Sequence, residues 1–130
     1  MRRIGILVVG LLVLGAVPAQ AEPDVVKQKT CSDGARVRLE LTDIGDRIKV
    51  RFEVHRSPVG HEWRITFRFV EHNITNLYGH VFFRGTRVAS DSGVFVVQLH
   101  RPDWAVEDGV VGEAVDRQTG QACRALVWYR

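Results

Sequence analysis

No stretch of this 130-residue sequence repeats its apolar side chains with the 3.6-residue period of a helix, which excludes helical bundles and alternating β/α folds. Cysteine is almost absent: there are two, Cys31 and Cys123, and no C-x-x-C spacing, so a dithiol redox centre is excluded. Runs of like charge are missing too. Basic and acidic residues alternate along the chain, which leaves no electrostatic footprint of the kind that nucleic-acid binding needs. Catalytic signatures are lacking as well. Ser32, Ser57, Ser90 and Ser92 have no G-x-S-x-G elbow, and His61-Glu62-Trp63-Arg64-Ile65 fails the H-E-x-x-H pattern at its last position. A carboxylate pair such as Asp103 and Glu107, or Glu107 and Asp108, would need a cleft to perform acid/base chemistry. There is no internal repeat or low-complexity linker, and nothing implies a cofactor.

The one long apolar run is Ile4 to Val17, 14 residues, preceded by Arg2-Arg3, broken by Pro18 and followed by the small-x-small pattern Ala19-Gln20-Ala21. That is the organisation of a secretory signal peptide over residues 1–21. A membrane-spanning helix needs about 20 apolar residues, so no span is expected in the mature form. No cysteine follows the cleavage point to carry a lipid, and Arg2-Arg3 suits the general and the twin-arginine route alike. Removing the leader leaves 109 residues, 22–130, enough for a single two-layer domain. Removing Arg2 and Arg3 from the 18 basic side chains leaves 16 against 15 acidic ones, so the basicity of the whole chain belongs mostly to the leader.

In an exported chain two cysteines imply one disulfide, here across 92 residue steps, tying the first strand to the last. Closing a loop of that length is worth about 4 to 5 kcal/mol in the chain-entropy account.

Between the cysteines the period is two. Val37, Leu39 and Leu41 alternate with Arg36, Arg38, Glu40 and Thr42; after the turn Asp43-Ile44-Gly45-Asp46, Ile48, Val50, Phe52 and Val54 alternate with Arg47, Lys49, Arg51, Glu53 and His55. Trp63, Ile65, Phe67 and Phe69 alternate with Arg64, Thr66 and Arg68. These are half-buried antiparallel strands, the first two joined as a hairpin. Tyr78 to Phe83 and Gly93 to Leu99 are less regular β runs, and Gly109 to Val115 and Cys123 to Tyr129 flank the turn Arg117-Gln118-Thr119-Gly120. Turn signals at roughly ten-residue spacing predict an all-β fold, an immunoglobulin-like antiparallel sandwich of about seven strands. The tail Glu22 to Gln28 is expected to be mobile.

Cys31-Ser32, the strand ending Phe52-Glu53-Val54, the turn into Gly60-His61-Glu62-Trp63-Arg64, and the stretch from Asp108-Gly109 through Ala114-Val115 to Thr119-Gly120-Gln121-Ala122-Cys123-Arg124-Ala125 together carry a resemblance. Nearly all of the mature chain resembles a group of uncharacterised small exported actinobacterial proteins. The resemblance implies an immunoglobulin-like sandwich with one disulfide and implies no activity. It departs at His55-Arg56-Ser57-Pro58-Val59, where the group carries polar Asp, Asn and Gln residues.

Two sets of candidate ligand residues remain. His55 and His61 flank "HRSPVGHEW" and form a possible metal pair, but a zinc site takes three or four protein ligands, and His72, His80 and His100 lie elsewhere without recognisable spacing. The alternative is that both are solvated turn residues. Of the three tryptophans, Trp63 shares a face with Ile65 and Phe67 and is expected in the core. Trp104 falls in a loop, and Trp128 has the parity opposite to Cys123, Ala125 and Val127, so these two are the candidates for stacking on a sugar ring or meeting a protein. Asn73-Ile74-Thr75 fits a glycosylation acceptor that bacteria normally leave unread. The reading is a secreted, non-enzymatic interaction module whose partner is an extracellular protein or cell-wall polymer. The alternatives are a carbohydrate-binding module and, third, a small metal-binding protein or hydrolase.

Overall fold

The computed structural model describes residues 23–71, 79–102 and 108–129. The leader (1–21), His72, the Asn73-Ile74-Thr75 acceptor, Tyr78, and Asp103, Trp104 and Glu107 therefore lie outside the described residues. Eight strands follow one another: β1 (Val25–Thr30), β2 (Arg36–Asp43), β3 (Arg47–His55), β4 (Glu62–Val70), β5 (His80–Val88), β6 (Phe95–Pro102), β7 (Gly109–Asp116) and β8 (Ala122–Trp128). They form two four-stranded sheets, β1-β2-β3-β6 and β5-β4-β7-β8, with every pairing antiparallel. The chain crosses between sheets after β3, β5 and β6. These crossovers make the sandwich immunoglobulin-like.

The alternating strands do what their pattern requires. Val37, Leu39, Leu41, Ile48, Val50, Phe52, Val54, Trp63, Ile65, Phe67 and Phe69 are all buried between the sheets. Phe52 of one sheet meets Phe67 of the other edge-on, with ring centroids 5.7 Å apart, and Trp63 packs against Phe95. Gly112 makes the contact with Phe52 possible, since a Cβ there would lie 3.0 Å from that ring. The β2–β3 turn closes at Gly45, whose φ of 103° favours glycine and whose N–H donates to Asp43 Oδ1 at 2.9 Å.

Two expectations change. Val25–Thr30 is a strand and not a mobile tail: it pairs with β2 from Val25↔Leu41 to Thr30↔Arg36, which raises the count from about seven to eight. Its sequence hides this because Val26 to Thr30 are all exposed, so an edge strand held by its backbone ladder shows no alternation. The fifth strand also runs on to Val88, well past Phe83: Arg84 to Val88 pair regularly with Thr66 to Glu62 but are mostly exposed, so no apolar alternation marks them.

Cys31 and Cys123 form the expected disulfide, with Cα atoms 5.6 Å apart. It joins the β1–β2 turn of one sheet to the edge strand β8 of the other. Along this side β8 runs beside β1 and β2 outside any ladder. Side chains tie the same seam: Ser32 Oγ donates to Gln121 Oε1 at 2.9 Å near the disulfide, and the Tyr129 hydroxyl donates to Asp43 Oδ2 at 3.0 Å at the far end.

Candidate functional site

"HRSPVGHEW" is the crossover from β3 to β4 and so passes from one sheet to the other. Arg56 takes a left-handed backbone conformation (φ 59°), and Ser57 turns inward, its N–H and hydroxyl both donating to Gly93 O at 3.0 and 2.9 Å. Gly60 N–H donates to Ala89 O, and Ala89 N–H to His61 O. The segment is thus fastened to the loop between β5 and β6. Ser57 spends its hydroxyl on that fastening.

The two histidines are separated, each by its own carboxylate. His55 Nε2 lies 2.9 Å from Glu53 Oε1, on the outward face of β3, where Arg51 Nε also reaches Glu53 at 2.8 Å. His61 Nδ1 lies 2.7 Å from Oδ2 of Asp116, a side chain only 1% exposed at the end of β7. Asp116 Oδ1 accepts the Gln118 N–H at 2.9 Å, so the one carboxylate organises both the β7–β8 turn and the start of β4. Burial works against its charged form. The His61 hydrogen bond, the Gln118 amide, the His61 charge and the Thr119 amide outweigh burial and hold the carboxyl below its ordinary range. Glu53 is lowered in the same way: burial opposes, and the Arg51 and His55 hydrogen bonds and charges prevail.

Neither histidine is a freely solvated turn residue, because both side chains are partly buried and hydrogen-bonded to a carboxylate. They also do not converge: among the described residues no three His, Cys, Asp or Glu side chains gather as a metal site would require. Parity put His55 on the polar face and the turn put His61 across from it, but neither could show the carboxylate that each would find, which for His61 lies 55 residues away.

Trp63 is in the core, and its Nε1 finds no acceptor among the described residues. Trp128 faces outward on β8, 40% exposed, with its ring over Gly109 of β7, where a Cβ would lie 2.7 Å from the indole. Trp104 lies outside the described residues, so no pair of candidate indoles can be placed.

The feature that chain-wise reading missed is a concentration of positive charge on the outward face of β5-β4-β7-β8. The strand alternation that sends Trp63, Ile65 and Phe67 inward sends Arg64, Thr66 and Arg68 outward. Register then lines up Arg84, Thr66, Glu113 and Arg124 in one row across the four strands. Arg124 Nη2 reaches Glu113 at 2.7 Å and Arg68 Nη1 at 3.6 Å. Arg64 and Arg84 have no ion pair among the described residues. Arg64, Thr66, Arg68, Arg84 and Glu113 line a shallow depression of about 330 Å³. Charges that alternate along the chain are therefore not evenly mixed in space. The parity of β4 held half of this signal; the strand order that adds Arg84 and Arg124 was not readable.

Arg124 also borders a second, larger hollow of about 540 Å³, between β1 and β8, lined by Lys27, Lys29, Leu126 and Trp128 among others. Its lining includes three cations and an indole and no carboxylate. No helix among the described residues is long and apolar enough to cross a membrane. No family model, curated protein or solved structure matches this chain.

Proposed function

We propose that the protein is an exported, non-enzymatic β-sandwich that serves as an extracellular or envelope-associated interaction module through the outward face of β5-β4-β7-β8. The observation that carries this reading is the arginine cluster: Arg64, Arg68, Arg84 and Arg124 around the carboxylate of Glu113, two of the four without an ion pair among the described residues. Guanidinium groups fixed on a rigid sheet bind carboxylates and phosphates bidentately, so the partner's complementary surface is anionic. Export rests on the leader pattern at residues 1–21 and is compatible with the disulfide. The likeness to small exported actinobacterial proteins belongs to the same proposal. Isolated envelopes of the producing cell, washed with purified protein, test it. Wild type should be retained and released by salt, and the Arg64→Glu/Arg84→Glu double variant should bind about tenfold more weakly at equal thermal stability. Equal retention of the two would remove this face from the function.

The carbohydrate-binding reading is favoured by one observation of its own, the exposed Trp128 indole beside the cationic hollow. Nothing among the described residues favours a metal-binding protein or a hydrolase.

A further inference from the structure

We infer that the hollow between β1 and β8 binds an acidic sugar unit of an anionic polysaccharide, with the ring on the Trp128 indole and its carboxylate held by Lys27 and Lys29. The inference rests on the reading of the protein as an interaction module and names the chemistry of one of its ligands.

The placement of the two strands creates the site. Lys27 and Lys29 pair with Leu39 and Val37, which face the core, so by parity they too point toward the opposite sheet. At that edge the opposite sheet ends with β8, and the two lysines stand out over it instead of being buried. From β8, Arg124, Leu126 and Trp128 share the outward parity. The result is a trough with ammonium groups on one wall, and a guanidinium, an aliphatic side chain and an indole on the other. A pyranose offers an apolar face of C–H groups to an indole, and a uronic acid adds a carboxylate for the two lysines. Neither lysine has an ion pair among the described residues, so no internal carboxylate competes for them.

Two alternatives fit less well. An acidic peptide would satisfy the lysines but offers no ring to the Trp128 indole. A purely apolar ligand would leave the two lysines desolvated without partners. The trough lies along a seam fastened by the Cys31–Cys123 disulfide and by the Ser32–Gln121 and Tyr129–Asp43 bonds. A site that is rigid before binding loses little ordering entropy on occupation.

The test uses the disulfide-bonded protein with polygalacturonate, fully methyl-esterified polygalacturonate and polyglutamate as titrants. Polygalacturonate should bind, the ester at least about tenfold more weakly, and affinity should fall as salt rises. Trp128→Ala should weaken binding about tenfold, the range expected for loss of one stacking partner. Because Trp128 also covers Gly109, the exposed pair Lys27→Gln/Lys29→Gln provides a second route: it should weaken polygalacturonate binding several-fold without changing the melting temperature. Equal affinity for the ester, or polyglutamate bound as tightly as polygalacturonate and indifferent to Trp128→Ala, would overturn the inference. If none of the polymers binds while Arg64→Glu/Arg84→Glu still abolishes envelope retention, the trough assignment fails and the interaction-module reading stands.

Discussion

His55 and His61 look equivalent in the chain and differ in what depends on them. His55 shares Glu53 with Arg51, so the carboxylate keeps a partner when the imidazole is removed; His61 is the side-chain partner of a fully buried Asp116. His55→Gln should therefore stay within about 0.5 kcal/mol of wild type, and His61→Gln should cost about 1 to 2 kcal/mol, as denaturant melts at neutral pH will show. Asp116 also gives the fold an acid dependence. Its pKa lies lower in the folded than in the unfolded chain, so the folded state binds its proton more weakly. The associated stability is complete above the ordinary carboxylate range and is lost as pH falls below about 4. Asp116→Asn should be less stable at pH 7 and show a shallower decline between pH 4 and pH 2 than wild type; an unchanged acid limb would mean that the pair with His61 contributes nothing. Polarity and parity were readable for these residues from the chain alone. The partner was not, since contact between the start of β4 and the end of β7 arises only when the two strands pair, Trp63 opposite Asp116.

At the scale of the strand, legibility follows burial. β2, β3 and β4 each have one face in the core and one in solvent, so the selection that burial imposes on every second residue is written directly in Arg36–Asp43, Arg47–His55 and Glu62–Val70. Phe52 lies at the centre of this face, against Phe67 and Gly112, and Phe52→Ala should cost about 3 to 5 kcal/mol. A chemical-denaturation midpoint near that of wild type would show the parity to be wrong. β1 and β5 obey a different rule. As edge strands they bury little, so neither VVKQKT nor HVFFRGTRV alternates cleanly, and only the ladder to a neighbour identifies them. The basic face belongs to this scale as well. It is assembled from β4, β5 and β8, whose adjacency across β7 is a matter of topology, and a chain with alternating charges can still build a surface on which one sign predominates.

For the molecule as a whole, the Cys31–Cys123 bond connects the two sheets where no ladder does. The double variant Cys31→Ser/Cys123→Ser should lose about 4 to 5 kcal/mol by the loop-closure account, less any relaxation in the native state, measured as a shift in the denaturant midpoint against the oxidised protein. The bond also has a mechanical meaning. A protein tethered by its ends at a cell surface feels shear, and tension applied at Val25 and Tyr129 runs along β1, through the sulfur bridge and out along β8. Residues 32–122 lie inside the covalent loop and carry none of that load. Pulled in a force spectrometer, the oxidised molecule should yield only the short segments outside the bridge. Added reductant should release about 300 Å of further extension, the contour of the 92 residue steps the bridge encloses. Until then the part of the sandwich inside the bridge, with Arg64, Arg68, Arg84 and Glu113, would keep its geometry under a pull that strips away the edge strands and takes Arg124 with β8.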